Sequence, residues 1–246
     1  MTDATLAAGT AHVWWARRRD AAASHLALLD EAERRRWAAY RRDADRERFL
    51  VGCALAKAVI ARYTGRRPAE VSFDRACRAC GRPHGKPAIR DAAGLEHSVA
   101  HSGGLVVVAL ARAPVGVDVE QLEERPRPPG GDAGPDALAR LVLAEVERAA
   151  LAAVPPAARA RAFLVAWTRK EAVTKAAGDG LRAPFRDVVV AADGAAPRLV
   201  AWPYPQPPGG VSVRDLDAGP GYVAALAVIG RCEAVRAGDG SALLAA

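Results

Sequence analysis

Trp167-Thr168-Arg169-Lys170-Glu171-Ala172-Val173-Thr174-Lys175 is the stretch around which this chain of 246 residues is organised. It reads as one helix over residues 159–177, stopped by Gly178 and Gly180, since glycine readily takes the left-handed backbone that closes a helix. Steps of four place Trp167, Glu171 and Lys175 on one stripe. Taken alone, a Glu and a Lys at this spacing above an aromatic anchor read as a surface salt bridge on a core-facing helix. The neighbouring segments change that reading.

Some fifty residues upstream, Val115-Gly116-Val117-Asp118-Val119-Glu120 reads as a strand. Asp118 and Glu120 stand two apart and project from the same face, while Val117 and Val119 point the other way into a core. Two acids on an edge strand are ordinarily just solvated. This strand, however, is strongly apolar and ends a hairpin at a boundary between two halves of the chain. Carboxylates converging in a partly buried cleft repel unless a cation joins them. Oxygen ligands of this kind favour Mg²⁺, which keeps several waters and also binds phosphates. Glu171 is available as a third carboxylate.

The rest of the chain sets these two motifs in an α+β frame. A first strand at residues 11–16 precedes helical stretches at 26–40 and 43–63. Short strands follow at 71–73 and 85–89, then residues 96–101 lead through Ser102-Gly103-Gly104 into an apolar strand at 105–110. Ala113-Pro114 breaks the run. Beyond the Asp118 strand, residues 123–135 are rich in Pro and Gly and read as a mobile loop. Helices are expected at 136–153 and 159–177, strands at 187–191, 198–202, 211–216 and 222–229, and a frayed tail from Arg236. One order thus occurs twice: a strand, two helices, then antiparallel strands. The predicted fold is two similar α+β halves, 1–113 and 114–246, related by a pseudo-two-fold, with an active site at their interface.

Charge narrows the partner. The net charge is +7, from 35 basic against 28 acidic side chains, which suits an anionic partner such as nucleic acid, a phosphorylated cofactor or an acidic protein. Only four of the basic residues are lysines, Lys57, Lys86, Lys170 and Lys175. An ammonium that persists in so arginine-rich a chain is informative, because it can donate a proton where guanidinium effectively cannot. The arginines of the first helices, Arg34 to Arg36, Arg41, Arg42, Arg46 and Arg48, read mainly as a solvated face, with a subset facing phosphate. The start of the chain carries neither a basic n-region nor an apolar h-region, and the longest apolar runs are strand-length. The expectation is a soluble, cytoplasmic protein with no membrane segment. Four cysteines in such a setting argue against a disulfide framework. Cys77-Arg78-Ala79-Cys80 with His84 is a weak zinc signal, since Cys53 and Cys232 sit in apolar, core-like segments.

With these residues in place, the sequence resembles the 4′-phosphopantetheinyl transferases. Gly116-Val117-Asp118-Val119-Glu120, followed about fifty residues on by Trp167 to Lys175, matches the family's two signature motifs. Ser98-Val99-Ala100-His101-Ser102, preceded by Gly85-Lys86-Pro87, fits a third. Length and doubled order are similar to the two-half, pseudo-dimeric Sfp-type branch, and the resemblance spans about residues 34–181.

The resemblance implies transfer of the phosphopantetheine arm of coenzyme A to a serine of an apo acyl or peptidyl carrier protein, with release of adenosine 3′,5′-bisphosphate. It assigns Asp118, Glu120 and Glu171 to Mg²⁺, and Glu171 also to the serine proton. Lys175 goes to the leaving phosphate, His101, Ser102 and Lys86 to the 3′-phosphate and nearby groups, and Arg48 to the nucleotide end. Glu147 is a further acid placed to support the metal, and the chain is expected to act as a monomer. Such chemistry needs these residue types in any case: displacement at a pyrophosphate requires charge neutralisation, and a serine hydroxyl requires a base. Glu171 serves as ligand and base only with a low pKa, towards which Lys175 and the metal both push it. Ala100 departs from the pattern, standing where many relatives carry Ser, and the Cys77–Cys80 loop is outside it. His12, His25 and His97 read as surface or packing residues. Among the rivals, a nucleic-acid binder lacks any recognition motif here. A different Mg²⁺-dependent phosphate enzyme lacks a Walker-type loop, Rossmann fingerprint or kinase signature.

Overall fold

A computed structural model describes residues 5–77, 80–82, 85–92, 94–122, 135–191, 196–205 and 208–245. In chain order the strands and helices begin with β1 (Thr10–Arg17), α1 (Glu31–Ala39), α2 (Asp43–Thr64), β2 (Phe73–Asp74), β3 (Ala88–Ile89), β4 (Glu96–Ser102) and β5 (Leu105–Ala111). They continue with β6 (Val115–Gln121), α3 (Pro135–Val142), α4 (Glu145–Ala153), α5 (Pro156–Ala177), β7 (Val189–Val190) and β8 (Leu199–Ala201). β9 (Val211–Leu216), β10 (Tyr222–Ile229), β11 (Ala234–Asp239) and α6 (Gly240–Ala245) complete the chain. The predicted loop at 123–135 falls almost wholly outside the described residues. Among those described, no helix is long and apolar enough to cross a membrane.

The chain divides into two compact units. One runs to Val115 and takes back the segment from Cys232 onward; the other is Gly116–Arg231. In the first, the sheet order is β11-β1-β5-β4. Alternate residues of β5, Val106, Val108 and Leu110, meet Val51, Leu55 and Val59 of α2 in one apolar cluster. Burying each such side chain contributes roughly 1.5–3 kcal/mol. In the second unit the order is β6-β10-β9, and Ala172, Val173 and Ala176 of α5 pack with Val213, Ala225 and Ala227 of the sheet. Arg169 fixes α5 to β9 by a two-pronged bond to Asp215, at 2.6 and 2.8 Å.

The two units follow one plan, in agreement with the doubled order in the sequence. Each has a first strand, a short helix leading into a 22-residue helix (with α3 as an additional helix ahead of them in the second unit), a two-strand hairpin and an antiparallel pair, and β1-β5-β4 corresponds to β6-β10-β9. A buried ion pair repeats as well. Glu33, third residue of α1, pairs with Lys57 at 3.0 Å; Glu147, third residue of α4, pairs with Lys170 at 2.6 Å. Each glutamate also accepts a hydrogen bond from the backbone N–H three residues before it, Asp30 at 3.0 Å and Ala144 at 2.8 Å. Each lysine sits at the same depth in its 22-residue helix. Such pairs cost solvation to form, but losing one partner strands the other charge in a dry interior.

Three expectations are corrected. The helix expected over 26–40 starts at Glu31, because Asp30 caps it and exchanges bonds with Glu33, while Ala23–Leu28 forms a tighter 3₁₀ turn. The helix expected over 136–153 is two, broken before Glu145, where Glu147 turns back to the Ala144 amide. The tail is not frayed, and it does not belong to the second half. β11 runs parallel to β1, Leu243 and Leu244 pack against the first core, and Ser241 bonds Asp20 at 2.5 Å. It is held by edge pairing and apolar contact, which its polar, Gly-containing sequence does not advertise.

At Gly238 of β11 a Cβ atom would lie 2.6 Å from the Trp14 ring. Gly238→Val is therefore expected to lower stability by about 1–3 kcal/mol, read as a lower urea midpoint. An unchanged midpoint would show that the tail is not packed on β1.

Candidate active site

β6 presents Asp118 and Glu120 on one face, with Val115, Val117 and Val119 buried on the other. Gly116 shares the acidic face and lets helix α5 come down onto the strand. A Cβ there would sit 2.0 Å from the Ala172 carbonyl oxygen and 2.5 Å from the Ala176 nitrogen. Only glycine fits beneath a helix backbone at that distance.

This close approach delivers the helix side chains to the strand acids. The Lys175 ammonium donates to Asp118 Oδ1 at 2.7 Å and to the Val117 carbonyl at 3.2 Å, and stands 3.9 Å from Glu171 Oε2. The salt bridge that the spacing of Glu171 and Lys175 suggests is thus the longer contact; the tighter one is to the strand. Asp118 and Glu171 are both buried. Burial raises the pKa of Asp118, against the pull of Lys175. Burial likewise pushes Glu171 up to about 7, Lys175 opposes, and the negative charges of Asp118 and Glu120 add to the rise. Lys175 pulls this carboxyl down, as expected, but desolvation outweighs one ammonium. Burial alone would lower the Lys175 pKa, yet Asp118, Glu171 and Glu120 together raise it.

Among the described residues, no three His, Cys, Asp or Glu side chains form a ready-made metal cage. Two observations nonetheless fit Asp118, Glu120 and Glu171 to a hard divalent cation. Asp118 Oδ2 is buried with no hydrogen-bond partner, and the charges of Asp118 and Glu120 add to the rise in the Glu171 pKa.

Beside this corner, sequence reasoning missed Lys170. Fully buried, it donates to Glu147 at 2.6 Å and to the Phe185 and Val142 carbonyls at 2.8 and 3.0 Å. All three ammonium protons have acceptors, so it clamps α5 next to Glu171 rather than facing a ligand. Glu147 is corrected too: its oxygens are taken by Lys170 and by the Ala144 and Val190 amides, which leaves it no metal role. Trp167 anchors the helix as expected, stacked on Phe185 at 5.5 Å. The scarcity of lysine and the Asp30-x-x-Glu33 capping signature are the two sequence signals that point to the paired buried ions.

The first unit holds the remaining candidates. Arg48 of α2 donates to the Gly103 carbonyl at 2.9 Å and pairs with Asp45, so it lies against the turn that follows His101 and Ser102. Lys86 is not brought to that end: it pairs with Glu96 at 3.1 Å, at the opposite end of β4. Five residues of strand put Glu96 and His101 about 17 Å apart. His12 bonds Tyr63, and His97 lies stacked on Phe73 at 4.7 Å with its pKa lowered to about 3 by burial, Lys86 and Arg75. With His25 also buried, these three are packing residues. Cys53, Cys77, Cys80 and Cys232 are unbridged, and His84 of the zinc expectation lies outside the described residues.

Two family models match the chain in succession. One, described as 4′-phosphopantetheinyl transferase, N-terminal, covers residues 13–113; the other, the 4′-phosphopantetheinyl transferase superfamily, covers residues 114–227. The chain is similar to a 4′-phosphopantetheinyl transferase of Bacillus subtilis, 26% identical over 65% of each chain. It is 31% identical to the 4′-phosphopantetheinyl transferase HetI of Nostoc sp. strain PCC 7120, over 55% of this chain and 54% of that one. To the 4′-phosphopantetheinyl transferase Sfp of Bacillus subtilis strain 168 it is 24% identical over 65% of each. The chain spans less than two thirds of the length of these relatives.

Two outcomes test the geometry. Gly116→Ala should destabilise the protein by about 3 kcal/mol or more, since the obstructing atoms are helix backbone and cannot swing aside; a calorimetric melt measures it. The pH dependence follows from Glu171, whose folded pKa of about 7 lies above its ordinary 4.5. The folded state keeps this proton longer than the unfolded one, so the associated stability is full below pH 4.5 and is lost as pH rises through 7. In chelator, stability should fall over that window by an amount on the order of 3 kcal/mol, and Glu171→Gln should flatten the decline.

Proposed function

Since the chain belongs to the 4′-phosphopantetheinyl transferase superfamily, its two halves matched in turn, we propose that it transfers the phosphopantetheine arm of coenzyme A to a serine of an apo acyl or peptidyl carrier protein. The observation that carries this reading is the corner where Lys175 of α5 meets Asp118 of β6 with Glu171 beside it. Asp118, Glu120 and Glu171 would hold Mg²⁺. When bound, that ion supplies positive charge against the pyrophosphate of coenzyme A.

The chain's own groups have distinct tasks. Glu171, directly or through a water, takes the proton of the carrier serine. Its carboxylate form, favoured by the nearby Lys175 ammonium and by a bound cation, would accept that proton. The serine oxygen then bonds to the phosphorus that bears pantetheine, and the bond from that phosphorus to the bridging oxygen breaks. Adenosine 3′,5′-bisphosphate leaves with the electron pair of that bond. Lys175, charged throughout the physiological range, neutralises the leaving phosphate. The Lys170–Glu147 clamp keeps the helix turn carrying Glu171 from shifting. In the first unit, Arg48, His101 and Ser102, grouped about the β4–β5 turn, would bind the 3′-phosphate and the nucleotide end, while Lys86, paired with Glu96 at the other end of β4, would take no part in that contact.

The test is mass spectrometry of apo carrier proteins after incubation with coenzyme A and Mg²⁺. The expected result is a gain equal to one phosphopantetheine, slowed about 10²–10⁴-fold by Glu171→Gln. No gain across several acyl and peptidyl carriers would overturn the assignment, and unimpaired turnover by the Gln variant would remove Glu171 from its role.

A further inference from the structure

Lys175 has a second consequence that does not depend on the leaving phosphate. We infer that it is a built-in counter-ion, which holds the strand and helix carboxylates together and keeps the affinity of this corner for divalent cations low. The inference rests on the metal-binding part of the reading above.

One ammonium spans both elements. It lies 2.7 Å from Asp118 Oδ1 on β6 and 3.9 Å from Glu171 Oε2 on α5, with the Val117 carbonyl at 3.2 Å. Glu120, on the same strand face, acts on both helix groups electrostatically. The other lysine of this helix segment, Lys170, is committed to Glu147 and two carbonyls. Lys175 is therefore the ammonium set among these acids, and it ties β6 to α5 across their facing surfaces.

A divalent cation drawn to the same acids meets an occupied partner. Asp118 Oδ1 already accepts from Lys175, while Oδ2 is buried and has no partner. A cation reaching Oδ2 and Glu171 enters the field of an ammonium within 4 Å of an oxygen of each residue. Like charges repel far more strongly in a buried corner than in water. Cation and lysine thus contend for the same acids, so each binds less tightly than it would alone. A weakened grip on the free ion keeps the site exchangeable.

The experiment is a Mn²⁺ titration of the full chain, without coenzyme A or carrier, followed by the electron paramagnetic resonance of free Mn²⁺ and by calorimetry. Lys175→Met, which keeps the length of the side chain but not its charge, should bind Mn²⁺ about tenfold tighter than the unaltered protein. Its melting temperature in chelator should fall, and Mn²⁺ should raise it by more than it raises that of the unaltered chain. Lys175→Arg, which keeps the charge, should retain the original affinity. Should the Met variant not fold, Lys175→Gln in the same titration decides. Equal or weaker Mn²⁺ binding on loss of the charge overturns the counter-ion. If neither the unaltered nor the neutral variant binds Mn²⁺, the metal reading falls and this inference with it, a result distinct from equal binding by both.

Discussion

The second unit depends on a contact between two backbones. Helix α5 can lie on β6 only because residue 116 has no side chain: the Ala172 carbonyl and the Ala176 amide occupy the space a methyl would need. Everything chemical follows from that approach. Asp118 is two residues along the strand, and Glu171 and Lys175 flank the contact on the helix, so acids and ammonium meet within ion-pair reach. The same approach excludes water, and desolvation then raises both carboxyl pKa values despite the neighbouring lysine. The proposed site is thus expensive in its own unit. It persists because α5 is fixed elsewhere, by Arg169 on Asp215, by Lys170 in its cage of acceptors, and by Trp167 on Phe185.

The two units share this frame but not its chemistry. Glu33–Lys57 and Glu147–Lys170 are the same device, a helix-start glutamate locked to a lysine from the long helix. Counting onward from each lysine, Glu171 corresponds to Ala58 and Lys175 to Arg62. Arg62 meets the Trp14 ring of β1 at 5.7 Å, where Lys175 meets the carboxylate of β6. In the first unit β1 is covered by β11, and Gly238 of β11 lies against Trp14. Aromatic packing there replaces buried charge, which costs less to desolvate. Buried ion pairs of this kind are poor sources of net stability but strong determinants of which elements belong together, and both pairs mark where a short helix joins a long one.

Much of this was legible in the residues themselves. Strand periodicity put Asp118 and Glu120 on one face, helical periodicity put Glu171 and Lys175 on one stripe, and Gly178 closed the helix as expected. The repeated element order disclosed the two similar units. What escaped was set by distant partners. The break before α4 has no glycine or proline to announce it, and Glu147 imposes it by reaching Ala144, Val190 and Lys170 at once. The return of the tail to β1 is an edge pairing between segments more than two hundred residues apart. Lys86 and His101, adjacent in the motif reading, are separated by the length of β4.

The sequence by itself determined the family, the α+β class, the doubled plan and the residue types offered for chemistry, because these depend on local periodicity and on motifs carried along the chain. Tertiary structure alone decided which charges meet. It gave Lys175 to Asp118 before Glu171, took Lys170 and Glu147 out of the reactive set, and moved the Glu171 proton towards neutrality. Those outcomes turn on burial and on distances of a few ångströms between elements far apart in sequence. Coulomb and desolvation energies change steeply over such distances, and no spacing of residues along a chain encodes them.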